Sequence, residues 1–282
     1  MKLAIAAALV LLLAGAAQAR EGVPAFRHIV VIVFENKESS SVLGTAQAPT
    51  FNAMAARYAA VADYYGVTHP SLPNYLALVG GSTFGIDSDC TSCVVDARNL
   101  ADTLQAKHKT WKLYAEGLPR PGFTGAFAGR YAKKHAPFLY FRDILRSRER
   151  LHRVVPLTRL RRDLRAGRLP DFAFVVPDLC HSMHDCSVAT GDAWLRSQLP
   201  PLLALSKTVV FVVFDEGTTD DHGGGHVPAL ALGTAVGRGA RFTAATDHYG
   251  LLRTIEDAWG LPLLGRSARA TAVTGIWRGS AR

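Results

Sequence analysis

The sequence has few of the features that mark membrane-spanning, fibrous or disordered chains. Its only long apolar run, at residues 3–16, is shorter than the roughly 20 residues that a membrane-spanning helix needs. Glycine and proline, at 25 and 14 of 282 residues, are too few for a fibrous or low-complexity chain. Because 49% of the residues are hydrophobic and only 20% are charged, disorder caused by low hydrophobicity is excluded. The chain can therefore build a sizeable core.

The apolar run has the layout of a secretory signal. A single lysine precedes it, and the small-residue pattern Ala-Gln-Ala ends it. We expect cleavage before Arg20, so that residues 1–19 are a signal peptide and residues 20–282 the mature chain. The protein would then be exported to the periplasm or secreted. An uncleaved membrane anchor is the alternative.

Cysteine is scarce, and its four occurrences form two close pairs. The pairs are Cys90 with Cys93 and Cys180 with Cys186. In an exported protein we expect two local disulfides, because oxidising compartments preserve such bonds. A redox Cys-x-x-Cys pair would be accompanied by a thioredoxin-like pattern, which is missing. A zinc site made of the second pair with His181 and His184 would crowd four ligands into seven residues.

The basic excess, 32 Lys and Arg against 23 Asp and Glu, is concentrated in one stretch. The arginines of this stretch are Arg142, Arg146, Arg148, Arg150, Arg153, Arg159, Arg161, Arg162, Arg165 and Arg168. Neither interleaved aromatics nor a recognition motif accompanies them, so no nucleic-acid partner is expected. We interpret the stretch as a solvated helical face that attracts anionic substrates or lipid headgroups. A non-catalytic protein that binds polyanions or a cell surface through it is an alternative of a different class.

Apolar segments alternate with helical patterns along the chain, without an internal repeat or linker. Three segments, at residues 28–34, 172–176 and 208–214, are rich in β-branched and aromatic residues and do not alternate in polarity, which is typical of strands buried on both faces. Weaker strand patterns lie at residues 61–67, 110–115 and 227–232. Helical patterns lie at residues 50–58, 72–79, 100–107, 157–166, 191–205 and 248–259. The alternation predicts a single α/β domain with a largely parallel sheet covered by helices on both sides, an α/β/α sandwich.

Polar residues follow each of the three strong strands. They are Glu35 and Asn36 after the first, Asp178, His181, His184 and Asp185 after the second, and Asp215 and Glu216 after the third. Because the carboxyl ends of parallel strands share one edge of a sheet, we expect these side chains to meet there. Carboxylates, an amide oxygen and imidazoles together suit a divalent metal ion. Singly, each has a plain alternative, since Asn36 could cap the next segment and the Asp-Glu pair could solvate a turn.

A serine at the start of a predicted helix is a further candidate. Ser71 lies where a loop meets that helix, with Pro73 in the first turn. Serine is a preferred N-cap, which would account for it. The N-terminus of a helix also gathers free N–H groups and positive dipole, which would lower the pKa of the hydroxyl and hold a phosphate beside it. With a metal nearby, the serine would become a nucleophile. The residues alone leave both interpretations open.

Five segments, in the same order along nearly all of the predicted mature chain, resemble the bacterial phosphoesterase family of acid phosphatases and phospholipases C. They are Phe34-Glu35-Asn36, the stretch THPSLPNY at residues 68–75, residues 177–194, Phe214-Asp215-Glu216-Gly217 and Gly225-His226-Val227-Pro228. The resemblance implies an alkaline-phosphatase-like fold and one phosphoesterase domain over residues 20–282. It also implies metal-dependent phosphoryl transfer through a serine or threonine.

The resemblance further implies roles for individual residues. Carried over by position, Glu35, Asn36, Asp215 and Glu216 match metal ligands. Ser71 matches the nucleophile, which would form a phosphoserine that water hydrolyses, and His184 or His226 would protonate the leaving oxygen. The residues that match substrate-binding positions are His69, Asn74, His181 and Asp185. The expected substrate is a small phosphate ester or a phospholipid headgroup.

The metal and the exact ester stay open at this point. Calcium, magnesium, manganese, iron and zinc are all compatible with oxygen ligands beside imidazoles. A phospholipase C acting on phosphodiester lipids is the alternative with the same chemistry. Sulfate esters are disfavoured, because the chain has no Cys-x-Pro-x-Arg or Ser-x-Pro-x-Arg motif.

Overall fold

The computed structural model of the protein describes residues 22–278, and the predicted signal peptide at residues 1–19 lies outside them. The strands are β1 His28–Phe34, β2 Ala59–Val61, β3 Tyr64–Tyr65, β4 Trp111–Ala115, β5 Phe127–Ala128, β6 Tyr131–Ala132, β7 Val154–Pro156, β8 Phe172–Val176, β9 Thr208–Phe214, β10 Ala229–Leu232, β11 Ala240–Phe242 and β12 Thr246–Asp247. The helices are α1 Ser39–Val42, α2 Pro49–Arg57, α3 Ser71–Gly80, α4 Leu100–Ala106, α5 Arg142–Arg146, α6 Arg148–Leu151, α7 Thr158–Arg165, α8 Val188–Leu203 and α9 His248–Trp259. Short 3₁₀ helices lie at Lys133–His135, Pro137–Tyr140, Asp221–Gly223 and Gly265–Arg269.

Eight strands form one mixed sheet in the order β11-β2-β10-β9-β1-β8-β4-β7. Strand β1 pairs in parallel with β8 and β9, and β4 pairs in parallel with β7 and β8. Strands β2 and β11 are also parallel to each other, whereas β10 runs antiparallel to both of its neighbours. The prediction of an α/β fold with a largely parallel sheet is confirmed.

Helices cover both faces of the sheet. On one face, the Phe34 ring lies 5.3 Å from Phe51 of α2 and 5.7 Å from Trp194 of α8. On the other, Tyr75 of α3 lies 6.1 Å from Phe174, which pairs with the β1 residue three positions before Phe34. Because successive side chains of a strand point to opposite faces, these contacts belong to opposite layers. Helix α9 packs against α3, which completes the second layer.

The strong strand predictions agree with the structure, and the weaker ones agree in part. Strands β1, β8 and β9 have the predicted bounds and are almost completely buried. The strand predicted at residues 61–67 is wrong, because β2 and β3 are separate strands in different sheets. Strands β7 and β11 were missed, since three residues each are too few for a periodic pattern. Helix α8 begins before the predicted residue 191, because Ser187 caps it by accepting from the Thr190 N–H.

Both predicted disulfides are present. Cys90 is bonded to Cys93 and Cys180 to Cys186, with Cα atoms 5.8 and 4.7 Å apart. Because both thiols of the second pair are used in a bond, the zinc alternative is excluded. Among residues 22–278, no helix combines the length and the apolar character that crossing a bilayer requires.

Candidate active site

Ser71 lies among carboxyl side chains at the carboxyl edge of the sheet. Glu35 directly follows β1, Asp215 and Glu216 directly follow the adjacent strand β9, and Ser71 opens α3. The Ser71 hydroxyl lies 3.1 Å from both Glu35 Oε2 and Glu216 Oε1, within hydrogen-bond distance of each. All four side chains are buried. The structure therefore brings together the predicted nucleophile and three predicted metal ligands.

The Ser71 side chain does not cap α3. The cap position belongs to Pro70, and no side chain makes a capping hydrogen bond there. The Leu72 N–H donates instead to Asp89 Oδ1 at 3.0 Å. The hydroxyl of Ser71 is thus directed at carboxylates, while the first turn of α3 contributes positive dipole beside it.

Burial raises the pKa of each carboxyl group in this cluster. Burial raises the pKa of Glu35 to about 7, although the hydrogen bond from Tyr75 and the charge of Lys134 oppose the effect of burial. The pKa of Glu216 also rises to about 7, through burial and the charge of Asp215. The pKa of Asp215 lies well above its ordinary value because of burial and the charge of Glu35. Such a cluster requires protons or a cation to compensate its charge.

Two oxygen atoms of the cluster point to a cation. Within the described chain, Asn36 Oδ1 and Asp215 Oδ2 are buried without a hydrogen-bond partner. Asp215 Oδ1, in contrast, accepts from the backbone N–H groups of Asn36 at 3.1 Å and Glu216 at 2.7 Å. Unpartnered buried oxygens beside carboxylates are what a hard divalent cation binds. Glu35, Asn36, Asp215 and Glu216 therefore fit a metal ion.

Glu116, Asp178 and His181 form a separate cluster after β4 and β8. In the described part of the chain, they are the one group of three His, Cys, Asp or Glu ligand atoms that lie within 4.8 Å of one another. His181 Nδ1 lies 2.9 Å from Glu116 Oε2, and Asp178 Oδ1 accepts from the Cys180 and His181 N–H groups. These half-buried groups hydrogen-bond one another, whereas Asn36 Oδ1 and Asp215 Oδ2 beside Ser71 lack hydrogen-bond partners in residues 22–278. The expectation that Asp178 and His181 join the other strand ends is not met.

A lysine that the sequence patterns did not single out completes the site. Lys134 Nζ lies 3.5 Å from Ser71 Oγ, 2.8 Å from Asp89 Oδ2 and 3.3 Å from His184 Nε2. Burial lowers the pKa of Lys134, but the hydrogen bond to Asp89 and the charge of Glu35 outweigh burial and raise it. A fixed positive charge therefore lies beside the hydroxyl of Ser71.

Two more side chains contact Glu35. The Tyr75 hydroxyl donates to Glu35 Oε1, and His135 Nε2 lies 3.2 Å from Glu35 Oε2. Burial, with the charge of Lys134, lowers the pKa of His135 to about 3, so that its ring is neutral. Tyr75 belongs to the motif that the resemblance highlights, whereas no sequence signal marks His135. Its 3₁₀ helix is brought to Glu35 by tertiary packing alone.

Two predicted histidines lie at this site. His184 Nδ1 is 2.6 Å from Asp185 Oδ1, and its Nε2 faces Lys134. His69 Nδ1 hydrogen-bonds with Glu216, and its Nε2 donates to the Thr219 carbonyl at 2.9 Å. Burial lowers the pKa of His69, but these two hydrogen bonds outweigh burial and raise it.

Two other predicted residues have different surroundings. Asn74 is fully buried, and its amide bonds the backbone of the loop before α3, accepting from Val67 and Thr68 and donating to Thr68 and Pro70. These hydrogen bonds hold the loop that leads into α3. His226 Nε2 lies 2.7 Å from the Ala62 carbonyl. Within residues 22–278, no hydrogen bond or ion pair joins His226 to Ser71 or its carboxylates.

Comparison with known proteins agrees with this geometry. The model of the Phosphoesterase family matches residues 43–262. The chain is 34% identical over 265 residues to the phosphatidylinositol-3-phosphatase of Mycobacterium tuberculosis, covering 92% of this chain and 85% of that protein. It is 33% identical over 219 residues to an acid phosphatase of Aspergillus fumigatus, covering 72% of this chain and 49% of that protein. The chain thus spans about half the length of the fungal relative.

Solved structures share the fold. A protein of the alkaline phosphatase superfamily from Vibrio parahaemolyticus aligns with a TM-score of 0.59 and 13% identity, over 88% of this chain and 72% of that one. The phosphonate monoester hydrolase of Agrobacterium radiobacter aligns with a TM-score of 0.54 and 14% identity, over 89% and 79%. At these identities the likeness concerns the fold alone. Together with the family match, it shows that the chain belongs to the phosphoesterase family, has an alkaline-phosphatase-like fold and is a hydrolase of phosphoester bonds.

Proposed function

We propose that the protein is an exported, metal-dependent phosphatase that hydrolyses phosphate monoesters through Ser71 and a phosphoserine intermediate. One observation carries this proposal. The Ser71 hydroxyl is buried between Glu35 and Glu216, with the ammonium group of Lys134 3.5 Å away. A nucleophile, proton acceptors and a fixed positive charge thus lie together at the N-terminus of α3.

The first step forms the phosphoserine. As Ser71 Oγ attacks phosphorus, its proton passes to a carboxylate, Glu35 or Glu216, with which it is already hydrogen-bonded. The new Oγ–P bond forms while the bond from phosphorus to the leaving oxygen breaks. Lys134 lies close enough to stabilise the charge that develops on the phosphoryl oxygens.

His184 is the better of the two candidate acids. It lies beside Lys134, whereas His226 is bound to the Ala62 carbonyl. His184 would give a proton to the leaving oxygen and then take one from the water that attacks the phosphoserine. That attack breaks the Oγ–P bond, and Ser71 regains its proton from the carboxylate.

A divalent cation fits the ligand set of Glu35, Asn36, Asp215 and Glu216. When bound, it would supply positive charge that lowers the pKa of the Ser71 hydroxyl and offsets the charge of the phosphate. The raised pKa values of the carboxyl groups support this role, because a cation would replace the protons that otherwise compensate them.

The named relatives support the substrate class. Both are phosphatases, which favours phosphate monoesters over the phosphodiester lipids of a phospholipase C. The name of the mycobacterial relative brings a phosphoinositide headgroup into the class of possible monoesters. The two disulfides support export. Because the family consists of enzymes, the non-catalytic alternative is set aside.

An acid quench during turnover tests the proposal. We expect mass spectrometry of the metal-loaded enzyme, quenched while hydrolysing p-nitrophenyl phosphate, to find phosphate on Ser71. A chelator should stop turnover, and added divalent metal should restore it. The Ser71→Ala variant should carry no phosphate and lose turnover by several orders of magnitude. A Ser71→Ala enzyme that folds normally and works at the parent rate would refute the mechanism.

A further inference from the structure

A groove with both polar and apolar lining residues opens at the same edge of the sheet as Ser71. Its cavity volume is about 980 Å³. The loops that line it follow β4, β7 and β8, and α7 and α8 form its sides. Since the carboxyl ends of parallel strands share an edge, the groove and the catalytic cluster open in the same direction.

One side of the groove carries three exposed arginines of α7. Arg161, Arg162 and Arg165 line it together with Thr158, at the spacing i, i+3, i+4 and i+7 that forms one face of a helix. The arginines make no ion pair with any carboxylate in residues 22–278. Three other arginines of the same stretch are paired: Arg142 with Asp96, Arg150 with Asp143 and Arg153 with Glu149. The α7 face therefore presents uncompensated positive charge to the groove.

The opposite side offers hydrogen-bonding groups. Helix α8 contributes Thr190, Ser197 and Gln198 to the lining, and Glu116 and His181 also line the groove. Trp194 also lines the groove and is 6% exposed, and its Nε1–H is a buried donor without a partner in the described chain. Hydroxyl, amide and carboxylate groups facing three guanidinium groups match a ligand that has both hydroxyls and phosphate.

One loop separates the groove from the catalytic cluster. The loop closed by the Cys180–Cys186 disulfide carries His181, which lines the groove, and His184, whose Nε2 lies 3.3 Å from Lys134 Nζ. Lys134 in turn is 3.5 Å from Ser71 Oγ. A substrate of sufficient length could therefore place one phosphate at Ser71 and extend past this loop into the groove.

We propose that the groove binds a second phosphate group of a substrate whose first phosphate is hydrolysed at Ser71. The substrate class is a polyol that bears two phosphate groups, either free or as the headgroup of a phospholipid. The α7 arginines bind the remote phosphate, because guanidinium groups form paired hydrogen bonds with its oxygens. The side chains of α8 and Glu116 meet the hydroxyls. This inference rests on the proposed function, since it needs Ser71 as the reacting end.

The test compares three substrates in the parent enzyme and in Arg161→Gln/Arg165→Gln. They are p-nitrophenyl phosphate, a soluble inositol bisphosphate and a short-chain phosphatidylinositol 3-phosphate below its micelle concentration. We expect the parent to prefer the two-phosphate substrates, and the variant to lose this preference by about tenfold or more in kcat/KM, mainly through KM. Raised ionic strength should weaken the preference of the parent. If the variant loses its preference for the lipid alone, the groove binds a phospholipid headgroup. If it loses its preference for both the lipid and the inositol bisphosphate, the groove recognises the phosphate chemistry that they share.

Arg148→Gln/Arg168→Gln is the matched control. It removes the same charge from exposed arginines that do not line the groove, and the substrate preference should stay at the parent value. Arg161→Lys/Arg165→Lys keeps the charge without the planar geometry and should give an intermediate preference. The inference would be overturned if the substrate preference fell equally in Arg161→Gln/Arg165→Gln and Arg148→Gln/Arg168→Gln, or if it changed in neither variant. Such a result leaves the proposed function intact as long as p-nitrophenyl phosphate is still hydrolysed through Ser71. A parent enzyme that hydrolyses none of the three substrates would overturn both the groove inference and the proposed function.

Discussion

Replacing Lys134 by methionine removes a positive charge beside the proposed nucleophile while keeping a side chain of similar length. Lys134 Nζ lies 3.5 Å from Ser71 Oγ, and its side chain is 14% exposed. At about 4 Å and an effective dielectric constant near 20, two unit charges interact by about 4 kcal/mol. Because Asp89 is only 2.8 Å from the ammonium, part of this charge is already compensated. We therefore expect a loss of about 10²–10³-fold in kcat, the range found when one donor to a developing negative charge is removed.

The stability of this variant should change far less than its activity. Asp89 would lose its ion pair, but its side chain is 31% exposed and still accepts from the Leu72 N–H. We expect a change in the free energy of unfolding of about 1 kcal/mol, which leaves the protein folded. The assay is p-nitrophenyl phosphate hydrolysis at saturating divalent metal, with kcat and KM measured separately, beside urea unfolding.

Lys134→Arg is the control, because it keeps the charge at a shifted position. It should recover much of the lost kcat, while Lys134→Met should not. A Lys134→Met enzyme with normal metal content and kcat within threefold of the parent would show that the ammonium group does not stabilise the reacting phosphate.

Three further variants test other parts of the structure. Asp215→Asn should lower both metal content, measured by elemental analysis, and activity, because it removes an anionic oxygen from the ligand set; full occupancy with normal activity would exclude Asp215 from the site. Replacing Cys180 and Cys186 by alanine should clearly lower kcat/KM while changing the melting temperature little, because a short closed loop contributes little chain entropy but holds the loop geometry. A large fall in melting temperature with unchanged kcat/KM would contradict this. Burial raises the pKa of Glu256 to about 8 from an ordinary 4.5, so the native state holds a proton that the unfolded chain loses first, and stability falls as pH rises between these values. As pH rises from 4.5 to 8, the free energy of unfolding of Glu256→Gln, measured with urea, should therefore increase relative to that of the parent by up to about 5 kcal/mol. A difference between the two proteins that does not change with pH would refute this.

The sequence alone determined the centre of the fold. Strands β1, β8 and β9 have the predicted bounds, because runs of β-branched and aromatic residues without alternation report burial on both faces. Helix α9 also matches its prediction. Both disulfides could be predicted because their partners are only three and six residues apart. Such features depend on neighbours in the chain, which a sequence displays directly.

Tertiary structure decided which side chains share a site. Lys134 is 63 residues from Ser71 in the chain and belongs to a 3₁₀ helix without a periodic pattern, so no local signal marks it. The sequence marks His181, His184 and His226 as site candidates, yet of these three only His184 reaches Lys134. Strand β10 belongs to a sheet that the sequence predicts to be largely parallel, but it runs antiparallel to both neighbours, because strand direction is set by pairing rather than by composition. Sequence patterns record whether a residue is buried, whereas long-range packing of loops and strand ends determines what it is buried against.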